Sequence, residues 1–279
     1  MERPGGYSPI NSLARSSIRE PQFMKKIAIV TPCFNEAKRL DKEEFTRMVS
    51  NNRWISFIFV NDGSDDNTKE MLAGLALANP ERMRLINLEK NVGKAEAVRR
   101  GMLEACKGDH DLVGFWDADL STPLEAIDDM ARLFEREKTK IVIGSRVKLM
   151  GRKIERRIFR HYLGRVFATV ASMALNLPVY DTQCGAKLFE NNETLKIIFS
   201  EPFMVDWIFD VEMLARLELY ELENNSGSLD EALIEHPLDR WKDIRGSKVN
   251  LSHFIKAPWD MAKIIAKYSP RIYKLKKGR

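Results

Sequence analysis

Between residues 26 and 143 the chain alternates short runs of β-branched and aromatic residues with stretches of helical periodicity. That alternation narrows the fold more than any other feature. The runs 26–32 (KIAIVTP), 54–60 (WISFIFV), 83–88, 111–116 and 141–143 are too short for amphipathic helices and read as buried strands. Between the first two, 36–50 places Leu40, Phe45, Met48 and Val49 at helical spacing. NDGSDDNT supplies Asp and Asn to cap a helix that continues through Leu77. EKNVGKAEAVRRGMLEAC is a loop entering a helix, and STPLEAIDDMARLFERE opens with the Ser/Thr-then-Pro chemistry of a helix start. Strands alternating with helices predict an α/β fold: a mostly parallel sheet with helices on both faces. Ligands of such sheets bind beyond the carboxyl ends of the strands. The clusters CFNEA, NDGSDD and DADLST each follow a strand and are expected to converge on one rim.

The 279 residues suffice for a large packed domain. Residues 1–24, rich in Gly, Pro, Ser and Arg, have no apolar stretch of secretory type and are expected to form a flexible tail. Residues 25–250 read as the main domain and 251–279 as a basic amphipathic C-terminal segment. The three cysteines, Cys33, Cys106 and Cys184, are too few for a disulfide framework and lack metal-site spacing, which points to a reducing, cytoplasmic compartment. The longest nearly apolar run, 166–179, is too short to cross a bilayer.

Charge is unevenly spread. Residues 146–165 carry a net +7 and residues 240–279 a net +10, so the overall +5 leaves the remainder at −12. Basic segments of this kind suit phosphates, nucleic acid or an anionic membrane. The stretches 152–177 and 254–277 mix basic, aromatic and apolar residues as helices lying in a membrane interface do. A peripheral position at the cytoplasmic face of a membrane is therefore expected; helices that pack on the domain or form a dimer contact are the plainer alternative.

In DADLST, alternation along an extended backbone would put Asp117 and Asp119 on one side. Neighbouring carboxylates repel unless a cation intervenes, and a hard divalent ion such as Mg²⁺ or Mn²⁺ also binds phosphates. Asp62 ends the second strand, where a carboxylate can accept hydrogen bonds from a ribose or base. NVGKA offers Gly93 for close backbone approach and Lys94 for phosphate, but it is not a Walker A sequence, and GxGxxG is absent. A non-catalytic nucleic-acid-binding module is a remote alternative, because acids at the rim would repel a nucleic-acid backbone.

In order along the chain, IVTPCFNEAKRL, VNDGSDDNT, NVGKAEAVRRGM, DADLSTP, VIGSR, YDTQCGAKLF, WIFDVEML and RGSKV resemble family 2 glycosyltransferases of the GT-A fold. The resemblance runs from about Ile27 to Val249 and is greatest to the branch that makes dolichyl- and polyprenyl-phosphate sugars, its glucose-transferring members in particular. It implies a Rossmann-like GT-A sheet and an inverting transfer of a sugar, glucose favoured, from a UDP-sugar (or GDP-sugar) to a polyprenyl phosphate. Pro32, Asn35, Glu36, Asp62, Lys94 and Asp117 would line the nucleotide pocket. Asp117 and Asp119 would hold Mg²⁺ or Mn²⁺, and Arg146 would approach a phosphate. Ser121 stands where many relatives carry Gln, and Cys33 replaces a frequent aromatic.

A phosphate monoester, with a second pKa of ~6, is mostly dianionic near neutrality and needs cations rather than a base. Arg146, Arg157, Arg160, Arg240, Arg245 and Lys248 are available for it. Arg146, Arg160, Arg245 and Lys248 are the expected acceptor-binding set. Asp210 would shape the acceptor side, or act as base for the alternative acceptor class, a soluble or surface-glycan hydroxyl. A processive polysaccharide synthase fits less well, since Pro237 occupies the Gln position of QxxRW.

Overall fold

A computed structural model describes residues 25–155, 158–244 and 251–278, with the side chains of 158–163 and 251–254 left out. The expected tail 1–24, Arg157, Arg245, Lys248 and the Arg160 side chain lie outside the described residues.

All five expected strands form: β1 (Ile27–Cys33), β2 (Ile55–Asp62), β3 (Met83–Leu88), β4 (Leu112–Trp116) and β5 (Ile141–Ser145). β3, β2, β1 and β4 pair in parallel. Their connections are α1 (Lys42–Asn51), α2 (Thr68–Ala78) and α3 (Lys94–Ala105), and α4 (Ala126–Arg132) follows β4. The second half adds β6 (Lys153–Glu155), α5 (Ile158–Leu175), β7 (Ala186–Glu190), α6 (Glu193–Ser200), α7 (Phe209–Glu223), α8 (Leu229–Ala232), β8 (Leu233–Pro237), β9 (Arg240–Lys242) and α9 (Leu251–Lys277).

The sheet order is β3-β2-β1-β4-β7-β5-β8, with β6 and β9 as a separate two-stranded ribbon. β7 runs antiparallel between β4 and β5, whereas β8 is parallel to β5. This reversed strand had no counterpart in the sequence reading. Its run AKLFE is broken by a lysine at its second position, which removes the apolar continuity that marks a buried strand.

Two helix starts differ from expectation, and a third helix takes one of its two expected caps. α1 starts at Lys42, because Asp41 accepts from the Glu44 N–H, while Glu36 O takes the Arg39 and Leu40 N–H groups in a turn. The cap of α2 comes from Asp66, whose carboxylate accepts from the Thr68 N–H, rather than from Asn67. α4 starts at Ala126, because Thr122 is held in the preceding turn by the Trp116 indole N–H donating to its carbonyl at 2.8 Å.

Two apolar cores flank the sheet. Ile27, Ile29, Phe57 and Phe59 face α1, α2 and α4. Ala28, Val30, Val60, Phe115 and Phe189 face α3 and α5 to α7. The period-2 alternation of each strand produces the two faces. α9 belongs to the second core: Met261, Ile264, Tyr268 and Ile272 are buried in it. Tyr268 Oη donates to Glu212, and Ser269 Oγ donates to the Ala174 carbonyl at 2.6 Å. One face of α9 from Ala257 to Ile272 is thus packed into the domain. No helix among the described residues is long and apolar enough to cross a membrane.

Candidate active site

A cavity of about 1110 Å³ opens at the carboxyl ends of β1, β2 and β4. It is lined by Pro32, Asn35, Glu36, Asp62, Lys94, Asp117, Asp119, Arg146 and Asp210, so most of the expected site residues meet in one place. Arg160, Arg245 and Lys248 are the members whose side chains are not described.

The carboxylate pair arises differently from the sequence expectation. β4 ends at Trp116, and the next residues turn: the Leu120 N–H donates to the Asp117 carbonyl, and Leu120 adopts φ 51°. Asp117 and Asp119 therefore share the cavity through a tight turn and not through alternation on an extended strand. The Asp117 carboxylate sits where a side chain at residue 185 would go; a Cβ on Gly185 would collide with it. Lys94 Nζ contacts Asp117 Oδ1 at 2.6 Å. Asp119 accepts from the Ser121 N–H at 3.1 Å and lies 3.6 Å from Arg39 Nη1, while Arg39 Nη2 grips Glu36 at 2.5 Å. Desolvation, and then the Asp117 charge, raise the Asp119 pKa above the ordinary carboxylate value. Desolvation opposes the Lys94 charge, but Asp117 and Asp210 outweigh it and hold the Lys94 pKa above normal.

Among the described residues no group of three or more His, Cys, Asp or Glu is placed to hold a metal. The donor set fits a hard divalent cation all the same. Such an ion is held by one or two carboxylates and completes its shell with water and substrate phosphates. Asp117 and Asp119 supply those two carboxylates, and the side-chain-free Gly185 leaves room for the first of them.

Asp62 has both carboxylate oxygens engaged: they accept from the Val92 and Gly93 N–H groups at 2.8 and 3.0 Å. It acts as a clamp on the loop before α3. Burial raises its pKa against the effect of those two hydrogen bonds. Asn35 Oδ1 accepts from the Asp65 N–H and its own N–H donates to Ser64 Oγ, which ties the loop after β1 to the loop after β2. Gly93, at φ 94°, is pressed by Asp206, whose carboxylate accepts from the Ala95 N–H at 3.0 Å. A segment of the second half is thereby fastened to the start of α3.

On the opposite wall, Arg146 is committed to Asp181, which accepts from its Nε at 2.7 Å, its Nη2 at 2.6 Å and its backbone N–H at 2.9 Å. Its guanidinium also lies 5.5 Å from the Trp241 ring centroid. Burial opposes the Arg146 charge, but Asp181 more than compensates and raises its pKa. Asp181 is presented by Glu235, whose oxygens accept from the Tyr180 and Asp181 N–H groups at 2.8 and 2.7 Å. Burial, with the Asp181 charge adding to it, pushes the Glu235 carboxyl up to about 7. Asp210, on the first turn of α7, is ion-paired to the buried Lys187. Glu212 is wholly buried as a structural acceptor for the Met204 N–H and Arg216.

Sequence reasoning missed Arg39, Asp206, Glu235 and Lys187. Arg39 stands one helical turn beyond Glu36, the only local signal it gives. The others act across contacts more than 50 residues apart or on a strand the sequence hid. Beyond Arg146 the cavity wall is predominantly apolar, though Arg165 also lines it. Val166, Phe167 and Val170 of α5, Trp207, and Ala257, Met261 and Ile265 of α9 line it.

This sheet order, with its acid-and-base rim at the strand ends, is that of the GT-A fold. Similar solved structures include glucosyl-3-phosphoglycerate synthase from Mycobacterium tuberculosis in complex with UDP. It has a TM-score of 0.58, is 17% identical, and the match covers 87% of this chain and 80% of that one. Another is a mannosyltransferase from Pyrobaculum calidifontis in complex with GDP-Man and Mn²⁺, with a TM-score of 0.58, 15% identity, and coverage of 90% and 69%. The model of glycosyl transferase family 2 matches residues 28–192. A dolichyl-phosphate beta-glucosyltransferase of Trichomonas vaginalis is 32% identical over 88% of this chain and 73% of its own length. The dolichyl-phosphate beta-glucosyltransferase of Saccharomyces cerevisiae is 30% identical over 94% and 81%. The chain belongs to glycosyltransferase family 2.

Proposed function

We propose that the enzyme transfers glucose from UDP-glucose, with inversion, to the phosphate of a dolichyl or other polyprenyl lipid. The observation that carries this reading is the two-part cavity: a charged rim at the strand ends runs on into an apolar lining from α5 and α9. One end suits a nucleotide diphosphate and the other an isoprenoid chain. The names of the two curated relatives support the same acceptor and sugar.

In this reading Pro32, Asn35, Glu36 and Asp62 shape the nucleotide pocket, the last through the loop it clamps. Asp117 and Asp119 would hold Mg²⁺ or Mn²⁺, which when bound neutralises charge on the departing diphosphate. Lys94 now pairs with Asp117 and would exchange that partner for a donor phosphate. Arg146, with Arg160, Arg245 and Lys248, would attract the acceptor phosphate. A phosphate dianion attacks the anomeric carbon without losing a proton, so no general base is required. That agrees with the state of Asp210, which is ion-paired to Lys187. A glycan hydroxyl, by contrast, would need a base.

The lipid reading extends to the outer surface. Val166, Met173, Ile255 and Trp259 expose apolar side chains on α5 and α9, beside the lysines of α9. Such a surface suits peripheral binding to the anionic cytoplasmic face of a membrane. The test is a donor-by-acceptor screen with Mn²⁺ and Mg²⁺, using UDP- and GDP-sugars with short polyprenyl phosphates and glycans. UDP-glucose with a polyprenyl phosphate is expected to give the highest turnover. Turnover with a glycan hydroxyl and none with any lipid phosphate would overturn the acceptor assignment. Failure to sediment with anionic vesicles at low salt would overturn the membrane assignment.

A further inference from the structure

Lys187 is the one lysine among the described residues whose side chain is fully buried. It lies in the middle of the sheet, opposite Phe115 of β4 and Ile143 of β5. Its Nζ donates to the Cys184 carbonyl and to Asp210 Oδ1, each at 2.5 Å, and sits 5.1 Å from the Phe115 ring centroid. Its strand neighbours Leu188 and Phe189 are apolar and buried.

Fold stability does not account for a lysine at this position. A buried ion pair is often no more stabilising than apolar side chains of similar volume, because desolvation of both charges offsets their attraction. What the pair provides is a fixed place for its outer member. Asp210 lines the cavity, while Lys187 lies beneath it in the sheet. Lys94, which feels the Asp210 charge, contacts Asp117 in turn. Positive and negative groups therefore alternate from the sheet interior to the carboxylate pair.

We infer that Lys187 is a positioning residue for glycosyl transfer: it pins the Asp210 carboxylate in the cavity wall, where a fixed negative charge stabilises the positive charge that develops on the sugar as the diphosphate departs. An oxocarbenium-like sugar is the general consequence of breaking the anomeric bond, and a charge fixed in advance lowers the barrier without improving ground-state binding. The effect of Lys187 therefore falls on kcat. The inference rests on the family chemistry and on Asp210 lining the reacting cavity, not on the identity of the acceptor.

The test compares K187M, K187R and the double variant K187M/D210N with wild type. The readout is release of the nucleotide diphosphate from the donor, with lipid phosphate, glycan or water as acceptor. Donor KM, UDP affinity and melting temperature are measured in parallel. K187M is expected to lose kcat by about 50-fold while donor KM and UDP affinity change by less than about threefold. K187R is expected to recover at least about tenfold of that loss, because its guanidinium restores the charge. The double variant, with no unpaired buried charge, is expected to regain the wild-type melting temperature and stay low in kcat. Recovery of both melting temperature and kcat in the double variant would make the pair purely structural and overturn the inference, as would wild-type kcat in K187M or failure of all three variants to fold. A wild type that releases nucleotide with water or glycan but ignores lipid phosphates refutes the acceptor assignment and leaves this comparison valid.

Discussion

The two walls of the cavity handle their future ligands in opposite ways. On the strand-end wall, charges already hold partners: Lys94 with Asp117, Arg39 with Glu36 and Asp119, and Asp62 with the loop before α3. On the helical wall, α5 and α9 present mostly apolar side chains, Val166, Val170, Met261 and Ile265, with Arg165 stacked on Tyr180 among them. A charged ligand entering the first wall exchanges one set of ion pairs for another, so its desolvation cost is partly met in advance. An apolar chain entering the second releases water from surface that is mostly apolar. In the proposed function, specificity for the donor would depend on geometry, and retention of the acceptor on area.

The contrast can be broken at its charged end first. Asp119→Ala removes half of the carboxylate pair, and turnover is expected to fall by about 10³-fold in initial-rate assays. Loss of less than tenfold would detach the pair from the chemistry. Gly185→Ala leaves every charge in place but puts a Cβ where the Asp117 carboxylate lies, and a displacement of this order costs about 10²-fold in rate. A Mn²⁺ titration of this variant is expected to show weakened activation. Val170→Asp tests the apolar wall: KM for long-chain polyprenyl phosphate should rise about tenfold, while UDP affinity measured by calorimetry stays put.

The smallest effect concerns the seam between the walls, where Glu235 carries Asp181 and Asp181 carries Arg146. The folded-state pKa of Glu235, about 7, lies above its ordinary value of 4.5. The folded protein therefore binds this proton more tightly than the unfolded chain. The stability it contributes is fully present below about pH 4.5 and is lost as pH rises through about 7. Melting curves from pH 5 to pH 8 are expected to show wild type declining by a few degrees relative to Glu235→Gln. Parallel profiles would remove Glu235 from this role.

How much was legible in the sequence follows from how local each signal is. β1 to β5 and the helices after β1 to β4 are written in short-range apolar periodicity; the strands emerged within a few residues of expectation, while α1 and α4 start later than their periodicity begins. DADLST announced its carboxylates, but not the turn that joins them, because the left-handed Leu120 has no signature in residue type. β7 was hidden because its buried lysine breaks the pattern that identifies buried strands. Arg146 was singled out as a phosphate ligand from its motif; only coordinates reveal that Asp181, 35 residues away, already grips it. The apolar lining was half visible, since 152–177 and 254–277 read as amphipathic helices, but sequence could not say that the two helices share one cavity.

The reversed strand β7 also fixes an order of events during synthesis. β4 has its partner β1 in the chain already made, but its other edge has no partner until residues 186–190 arrive. β5 waits for the same strand. A chain halted near residue 180 would thus leave unpaired one edge of β4 and both edges of β5, a standing invitation to pair with neighbouring chains. The DADLST turn would be unfinished as well, for the Asp117 N–H binds the Gly185 carbonyl. A nascent chain of this design completes its DADLST turn and covers the outer edge of β4 in the same step, some 70 residues after β4 itself.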